Sequence, residues 1–244
     1  REYKNYRLNL PRLPNNHQHQ GTFSYLVDRQ YVQLFLQDSL ESLRSSPDWN
    51  MRIRSAIYAL VPSTPTTIEG GFVAQFSALE ELIEQFTKDQ GCRRILSGST
   101  FKRLCGDIKE VIRVSIDDER LRAQIEKQLP ALNNVPLQDR FEAFCQAHAI
   151  QYRDLWPVFS GSPASLYKIR NRLVHSRALS RDELDPVGYA ADALQALLER
   201  CVLSLLKWPI DKSDVSPGAF AHKYIAGRDM QVFVAQLEQA WQRG

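Results

Sequence analysis

The sequence predicts an all-α fold, and three features predict it. Apolar residues recur at intervals of three and four along most of the chain, the spacing that lines up one face of a helix. Pro, Gly, Ser and Asp fall at the edges of these runs, where they start or stop helices. No segment shows a convincing two-residue alternation, and there is no internal repeat. The 244 residues, 43% of them hydrophobic, suffice for one large domain or two small ones with an ample core. A net charge of +3 is too small to announce a nucleic-acid binder, so the distribution of charge carries more than its total.

Taken in order, residues 1–22 hold Pro11, Pro14 and the polar run from Asn15 to Gln20, which reads as a loose lead-in. His17 and His19 within it fit a solvated tail better than a metal site. From Tyr25 to Leu43, Leu26, Tyr31, Leu34, Phe35, Leu40 and Leu43 predict one long helix or two short ones. Pro47 and Asp48 start the next, with Met51, Ile53, Ile57, Tyr58 and Leu60, and Pro62 stops it. This short pair would bury little alone and is expected to pack on the helices C-terminal to it. Ser63-Thr64-Pro65 opens a further helix in which Phe72, Phe76, Leu79, Ile83 and Phe86 form a clean apolar stripe, ended by Gly91. Glu80, Glu81 and Glu84 lie beside that stripe and read as a solvated face; the sharper alternative is a carboxylate that orients an active-site Arg or His.

Thr100 to Ser115 predicts a helix with Phe101, Leu104, Ile108, Val111 and Ile112 inward and a basic lean from Arg93, Arg94, Lys102, Arg103, Lys109 and Arg113. That lean suits either a solvated face or phosphate contact. Asp117-Asp118-Glu119 matches the positive end of another helix, running to Leu129. Pro136 opens one with Phe141, Phe144 and Cys145 packed inward. Cys145 and His148 have half of a zinc spacing, but no second ligand pair fits it, so a buried thiol and a partly exposed imidazole are expected. Residues 152–159 read as a short helix or turn. After residue 181, Asp182 to Pro186 should break the chain and start the longest helix, whose apolar excess over 186–207 suits a central or dimer-forming element. Trp208-Pro209 ends it, 212–218 is a linker, and Asp229 caps a last helix with Val232, Phe233, Leu237 and Trp241.

The stretch from Ser162 to Arg177 stands apart. Ser162 and Pro163 read as a helix start, and Leu166, Ile169, Leu173 and Val174 as its buried face. Between them, Lys168, Arg170, Arg172, Arg177 and Arg181 succeed one another with no acid from Asp154 to Asp182. Such a run needs an anionic partner or open water, and His175 sits at its centre. At about 100° per residue, Asn171 and His175 lie about 40° apart and share a face, whereas Arg170 and His175 are about 140° apart. One ideal helix therefore does not present both to one phosphate. Either the helix ends or bends near His175, or the arginine reaches around, or two copies meet.

Arg170-Asn171-x-x-x-His175 resembles the Arg-(polar)-x-His signature of HEPN domains, helical modules many of which are metal-independent ribonucleases. The run from Phe72 to Phe86 is similar to the opening helix of the Apea-like HEPN branch, associated with bacterial anti-phage defence. The resemblance covers about 68–209. It implies a HEPN-type up-and-down bundle over 67–210, flanked by a tail and helices in 1–66 and by a linker and helix in 211–244. It also implies a homodimer whose paired motifs form a composite active site, and a place in a defence or toxin–antitoxin-like system. On it, Arg170, Asn171 and His175 are the catalytic residues of an endoribonuclease, with Lys168, Arg172 and Arg177 binding the RNA backbone. A non-catalytic HEPN module that dimerises or binds RNA or a partner chain is the alternative.

Chemistry supports the enzyme reading without a metal or other cofactor. A 2′-hydroxyl is an internal nucleophile, so RNA cleavage needs a proton acceptor, a proton donor and charge stabilisation. Histidine titrates near neutrality and arginine forks across two phosphate oxygens. There is no Gly-rich phosphate loop, no GxSxG, no HExxH and no Cys/His cluster of ligand spacing, which argues against nucleotide hydrolase, serine hydrolase or zinc chemistry. Cys92, Cys105, Cys145 and Cys201 form no framework, and no signal peptide or membrane span is evident, so a cytoplasmic protein is expected. The first residue is Arg1, which suggests a piece of a larger parent chain.

Overall fold

The computed structural model describes residues 26–27, 29–45, 47–61, 67–175, 179–220 and 230–242. The expected lead-in over 1–22, His17, His19, Arg177 and the Asp229 cap lie outside them. The described residues are all-α, with isolated bridges at Val27–Ser213 and Arg94–Asn134 and no named strand. The helices are α1 (Val32–Ser45), α2 (Pro47–Leu60), α3 (Ile68–Gln90), α4 (Gly98–Ser115), α5 (Glu119–Gln128), α6 (Leu137–Ala147), α7 (Leu166–His175), α8 (Arg181–Leu205), the single turn α9 (Pro217–Phe220) and α10 (Met230–Gln242). None of them is long and apolar enough to cross a membrane.

The chain divides into two compact units, the smaller being Ile83–Phe144 and the larger the described residues on either side of it. The boundaries fall within α3 and within α6. In the larger unit α8 is the central element. Val187, Ala190, Ala193, Leu194, Leu197, Leu198, Cys201 and Leu203 are all buried, as the apolar excess that suited a central or dimer-forming helix requires of a central one. Its partners include α2, α7 and α10. α1 joins through Phe35, whose ring meets Trp208 edge-on at 5.3 Å, and through the Ser42 hydroxyl, which donates to the Leu206 carbonyl. The early helices thus pack on the rest as expected.

Four departures from the expected elements have local causes. α8 begins at Arg181, ahead of Pro186, because the Ser180 amide donates to Glu183 Oε2 at 2.7 Å and closes the first turn as half of a capping box. Pro186 lies inside the helix; the carbonyl that loses its donor belongs to Asp182, which is exposed. α7 begins at Leu166 instead of Pro163. Ser162 caps a turn, its hydroxyl accepting from the Ala164 amide, and the amides of Leu166 and Tyr167 donate to the carbonyls of Pro157 and Val158. In α7 the buried face stops after Ile169: Leu173 is half-buried and Val174 exposed.

The smaller unit is more open. Ile83, Phe86, Ile112, Leu129, Phe141 and Phe144 are buried, and Asn133 stitches two segments by accepting from the Leu96 amide at 2.7 Å and donating to its carbonyl at 3.1 Å. Asp118 caps α5 as its sequence predicts, accepting from the amides of Arg120 and Leu121. In α4, however, Leu104 and Val111 are 42% and 64% exposed, not inward. α5 is strongly polar and offers α4 little apolar surface to pack against, so the stripe stays uncovered.

Candidate functional site

α7 carries the expected constellation and is held at its N-terminus and along its buried side. Its N-terminus is held by the 152–159 turn, where the buried Trp156 indole donates to the Ala164 carbonyl at 2.6 Å. Leu166 and Ile169 anchor the helix in the core, and the rings of Phe159 and Tyr167 gather around Phe76 of α3. With one side fixed, Lys168, Asn171, Arg172 and His175 fall within about 100° of one another on the other. Lys168 and His175 are exposed, while Asn171 and Arg172 are half-buried.

Arg170 starts on the far side of the helix but does not stay there. Its Nη1 donates to Asn171 Oδ1 at 3.1 Å, and its Nη2 bonds Glu80 Oε2 of α3 at 3.2 Å. Of the three resolutions that the helical angle allowed, two are visible in one chain: α7 ends at His175, and the arginine reaches towards Asn171. The guanidinium is drawn towards the residue that sits one turn below His175. Both Arg170 and Glu80 have side chains 28% exposed, and Arg170 Nε is buried with no protein acceptor. The two bonds at Nη1 and Nη2 leave one N–H on each of these nitrogens, so the partly exposed guanidinium is suited to a further oxygen ligand there.

Glu80 is therefore engaged rather than free on a solvated face, whereas Glu81 and Glu84 stay solvated, their side chains 41% and 43% exposed. Glu81 pairs with Arg52 of α2 at 3.2 Å, and Glu84 with Arg140 and Arg93 at 2.7 and 3.3 Å within the smaller unit. An arginine engages each of the three carboxylates. The carboxylate that orients Arg170 was legible as a candidate from its place on the α3 stripe, but the sequence does not show which of the three turns towards α7. Of the first acids that follow α7 in the chain, Asp182 and Glu183, neither is the carboxylate that pairs with Arg170.

Glu183 instead takes Arg172. The Arg172 Nη2 lies 3.3 Å from Glu183 Oε1, and the guanidinium stacks over the Trp241 ring at 4.6 Å from its centroid. The Trp241 indole donates to the same Glu183 oxygen at 2.6 Å. Burial raises the Glu183 pKa, but the bonds from Ser180 and Trp241 and the charge of Arg172 outweigh it and hold the carboxyl below its usual range. Arg172, expected to grip a backbone phosphate, is paired within the chain while its side chain stays 36% exposed. Sequence reading missed this cluster because its parts are spread over α7, α8 and α10.

Among the described residues no group of three or more His, Cys, Asp and Glu side chains could hold a metal ion. Cys145 is buried and His148 half-buried as expected, with the imidazole edge-on to Trp49 at 5.8 Å. Burial lowers the His148 pKa. Cys92, Cys105, Cys145 and Cys201 are free thiols.

Compared with protein-family models, curated proteins and solved structures, the chain finds no match in any of the three.

Proposed function

We propose that the chain is a HEPN-type, metal-independent endoribonuclease whose site is built from Arg170, Asn171 and His175. The observation that carries this reading is the 3.1 Å bond from Arg170 to Asn171, which swings a permanent cation towards the face that holds His175. In the proposed step His175 removes the proton from a 2′-hydroxyl and the oxygen attacks the adjacent phosphorus. Arg170 offsets the charge that builds on the phosphoryl oxygens, and the bond to the 5′-oxygen breaks as that oxygen takes up a proton. The products are a 2′,3′-cyclic phosphate and a 5′-hydroxyl. Base and acid are separate roles, and a homodimer supplies two imidazoles for them. Lys168, exposed on the same face, is placed to hold flanking phosphate.

Glu80 acts in this scheme as a positioning residue that keeps Arg170 turned to Asn171. The test is incubation of RNA in EDTA with wild type and His175→Ala, followed by end-group analysis. Wild type yields cyclic-phosphate ends, and the variant loses roughly 10²–10⁴ in rate, the usual contribution of one general acid or base. Metal-dependent cleavage, or products with 5′-phosphate ends, refutes the mechanism.

One observation favours a second reading, a non-catalytic HEPN module that dimerises or binds RNA or a partner chain. Arg170 and Arg172 both have carboxylate partners inside the chain, as structural cations do. On that reading His175→Ala leaves RNA affinity unchanged and no variant cleaves.

A further inference from the structure

The last described helix is attached to the site helix by polar contacts that ordinary packing does not require. The apolar side of α10 is seated on α8: Val234 and Leu237 are buried, and the Phe233 ring stacks on Tyr189 with centroids 3.9 Å apart. That contact alone suffices to hold an amphipathic helix in place. Beyond it, the Ser162 hydroxyl donates to Glu238 Oε1 at 2.5 Å, so that α10 also touches the turn before α7. One helical turn further on, Trp241 covers the Arg172 guanidinium and bonds the carboxylate that neutralises it.

Arg172 has an unusual position. Along α7 it is about 40° from Lys168 and about 60° from His175, so its Cα belongs to the same face as both. Its charge does not. Glu183 balances it, and the ring of Trp241 lies against the plane that would otherwise meet a phosphate or a base. Removing Trp241 would take away the cation–π contact, worth about 0.5–2 kcal/mol, and one donor to Glu183. The remaining Arg172–Glu183 pair is then a partly exposed ion pair, which contributes about 0–1 kcal/mol and exchanges partners easily. A phosphate of a polyanion would compete well for that guanidinium.

We propose that α10 is a latch on the site helix: docked, it withholds Arg172 from an anionic ligand, and undocked, it adds this cation to the Lys168–Asn171–His175 face. The ligand half of this inference rests on the nucleic-acid reading above; the latch half does not. Its ligand is a single-stranded RNA backbone, which Arg172 would meet through one phosphate.

The experiment uses the full chain and a fluorescent 2′-O-methyl RNA 12-mer, which lacks the attacking hydroxyl. Binding is followed by anisotropy across a salt series for wild type, Trp241→Ala, Arg172→Ala and the double variant. Hydrogen exchange over 230–242 is measured on the same samples. The expected result is faster exchange of α10 in Trp241→Ala, several-fold tighter RNA binding, and a log–log salt slope steeper by about 0.7, the value for one added phosphate contact on a single strand. Loss of Arg172 in the double variant cancels the gain. Trp241→Phe, which keeps the ring and loses the N–H, behaves as an intermediate and serves as the check should the Ala variant fold poorly. Unchanged exchange in both Trp241 variants overturns the latch. Accelerated exchange with no RNA bound by any protein overturns the nucleic-acid reading and the ligand half with it. A tighter Trp241→Ala whose gain survives the loss of Arg172 overturns the assignment of Arg172.

Discussion

Arg200 should be the most sensitive charged position in the larger unit. It is fully buried near the C-terminal end of α8, and its guanidinium donates four bonds: Nε to the Val215 carbonyl at 2.6 Å, Nη1 to the Gln151 carbonyl and to Asp154 Oδ1, both at 2.7 Å, and Nη2 to Asp154 Oδ2 at 2.7 Å. Asp154 is 33% exposed, so the two partners do not lose equally when the pair is broken. Asp154→Ala leaves a buried guanidinium with two carbonyls and no counter-charge. Breaking a buried pair costs about 3–5 kcal/mol, and the solvent edge at Asp154 places this case near the lower end, about 3 kcal/mol. Arg200→Met removes the buried charge but strands the carbonyls of Gln151 and Val215, each at about 1–3 kcal/mol. The double variant has no unpaired charge, so it should be less destabilised than the sum of the singles by about 1.5–3 kcal/mol. Urea unfolding followed by circular dichroism reads all four proteins. A loss of about 3 kcal/mol moves the midpoint by about 1 M or more at ordinary slopes. Additive losses, or a cost below about 1 kcal/mol for Asp154→Ala, would refute the clamp. The consequence reaches the site as well. Arg200 fixes residues 151–154, and the same turn, at Pro157 and Val158, receives the first amides of α7.

Three further outcomes rest on named contacts. Glu80→Ala should lower the cleavage rate by about 10², through misplacement of Arg170, while Glu80→Gln, which still accepts a bond, should restore most of it; equal losses in both would show that Glu80 acts by charge alone. Ala149 and Lys207 terminate helices at φ 52° and 60°, so Ala149→Gly should stabilise by about 0.5–1 kcal/mol and raise Tm by a degree or more in a thermal scan. His148 has its pKa lowered by burial from an unfolded value of 6.5, so the unfolded chain binds more protons just below that pH; stability should rise with pH up to about 6.5 and then level, and His148→Gln should remove that slope from urea midpoints taken between about pH 5 and 7.

The legible part of the fold was whatever a helix announces locally. Gly91 ends α3 at φ 63°, with the Cys92 amide bonded to the Thr87 carbonyl, as its composition foretells. Ala149 and Lys207 end helices by the same device, the amides of Ile150 and Trp208 reaching back to Cys145 and Leu203. No residue type marks those two ends in advance. There the buried side chains of the next residues, Ile150 and Trp208, hold the turn, and burial is a tertiary property. The same distinction divides the site. The α7 face could be drawn from angles alone, but the partners of its cations could not. Glu80 lies ninety residues before Arg170, and Glu183 was legible only as the opening of the next helix. Arg200 sits within the apolar run of α8, where a charged residue signals a buried counter-charge, but that signal does not identify Asp154.

The charge balance of α7 bears on both readings of its function. The run of cations demands an anion or open water, and within the described residues it receives some of each. Lys168 is exposed, Arg170 is matched by Glu80, and Arg172 is matched by Glu183. Three cations on the helix therefore leave a net charge close to that of one. On single strands each phosphate neutralised contributes a salt slope of about 0.7, so a face with one unbalanced cation binds RNA weakly and with little salt dependence. Two arrangements raise that number without altering the sequence. A second copy that brings its own α7 to the same groove doubles it and also supplies the second imidazole that the proposed chemistry calls for. Release of α10 adds Arg172 on each helix. A catalytic site that is quiet in one chain and gains charge on assembly or unlatching fits a nuclease whose unrestrained action would damage the cell. The salt slope of the wild-type chain, measured against that of Trp241→Ala, reads how many cations the face offers a phosphate backbone, and cleavage separates the enzyme from a binding module that shares that face.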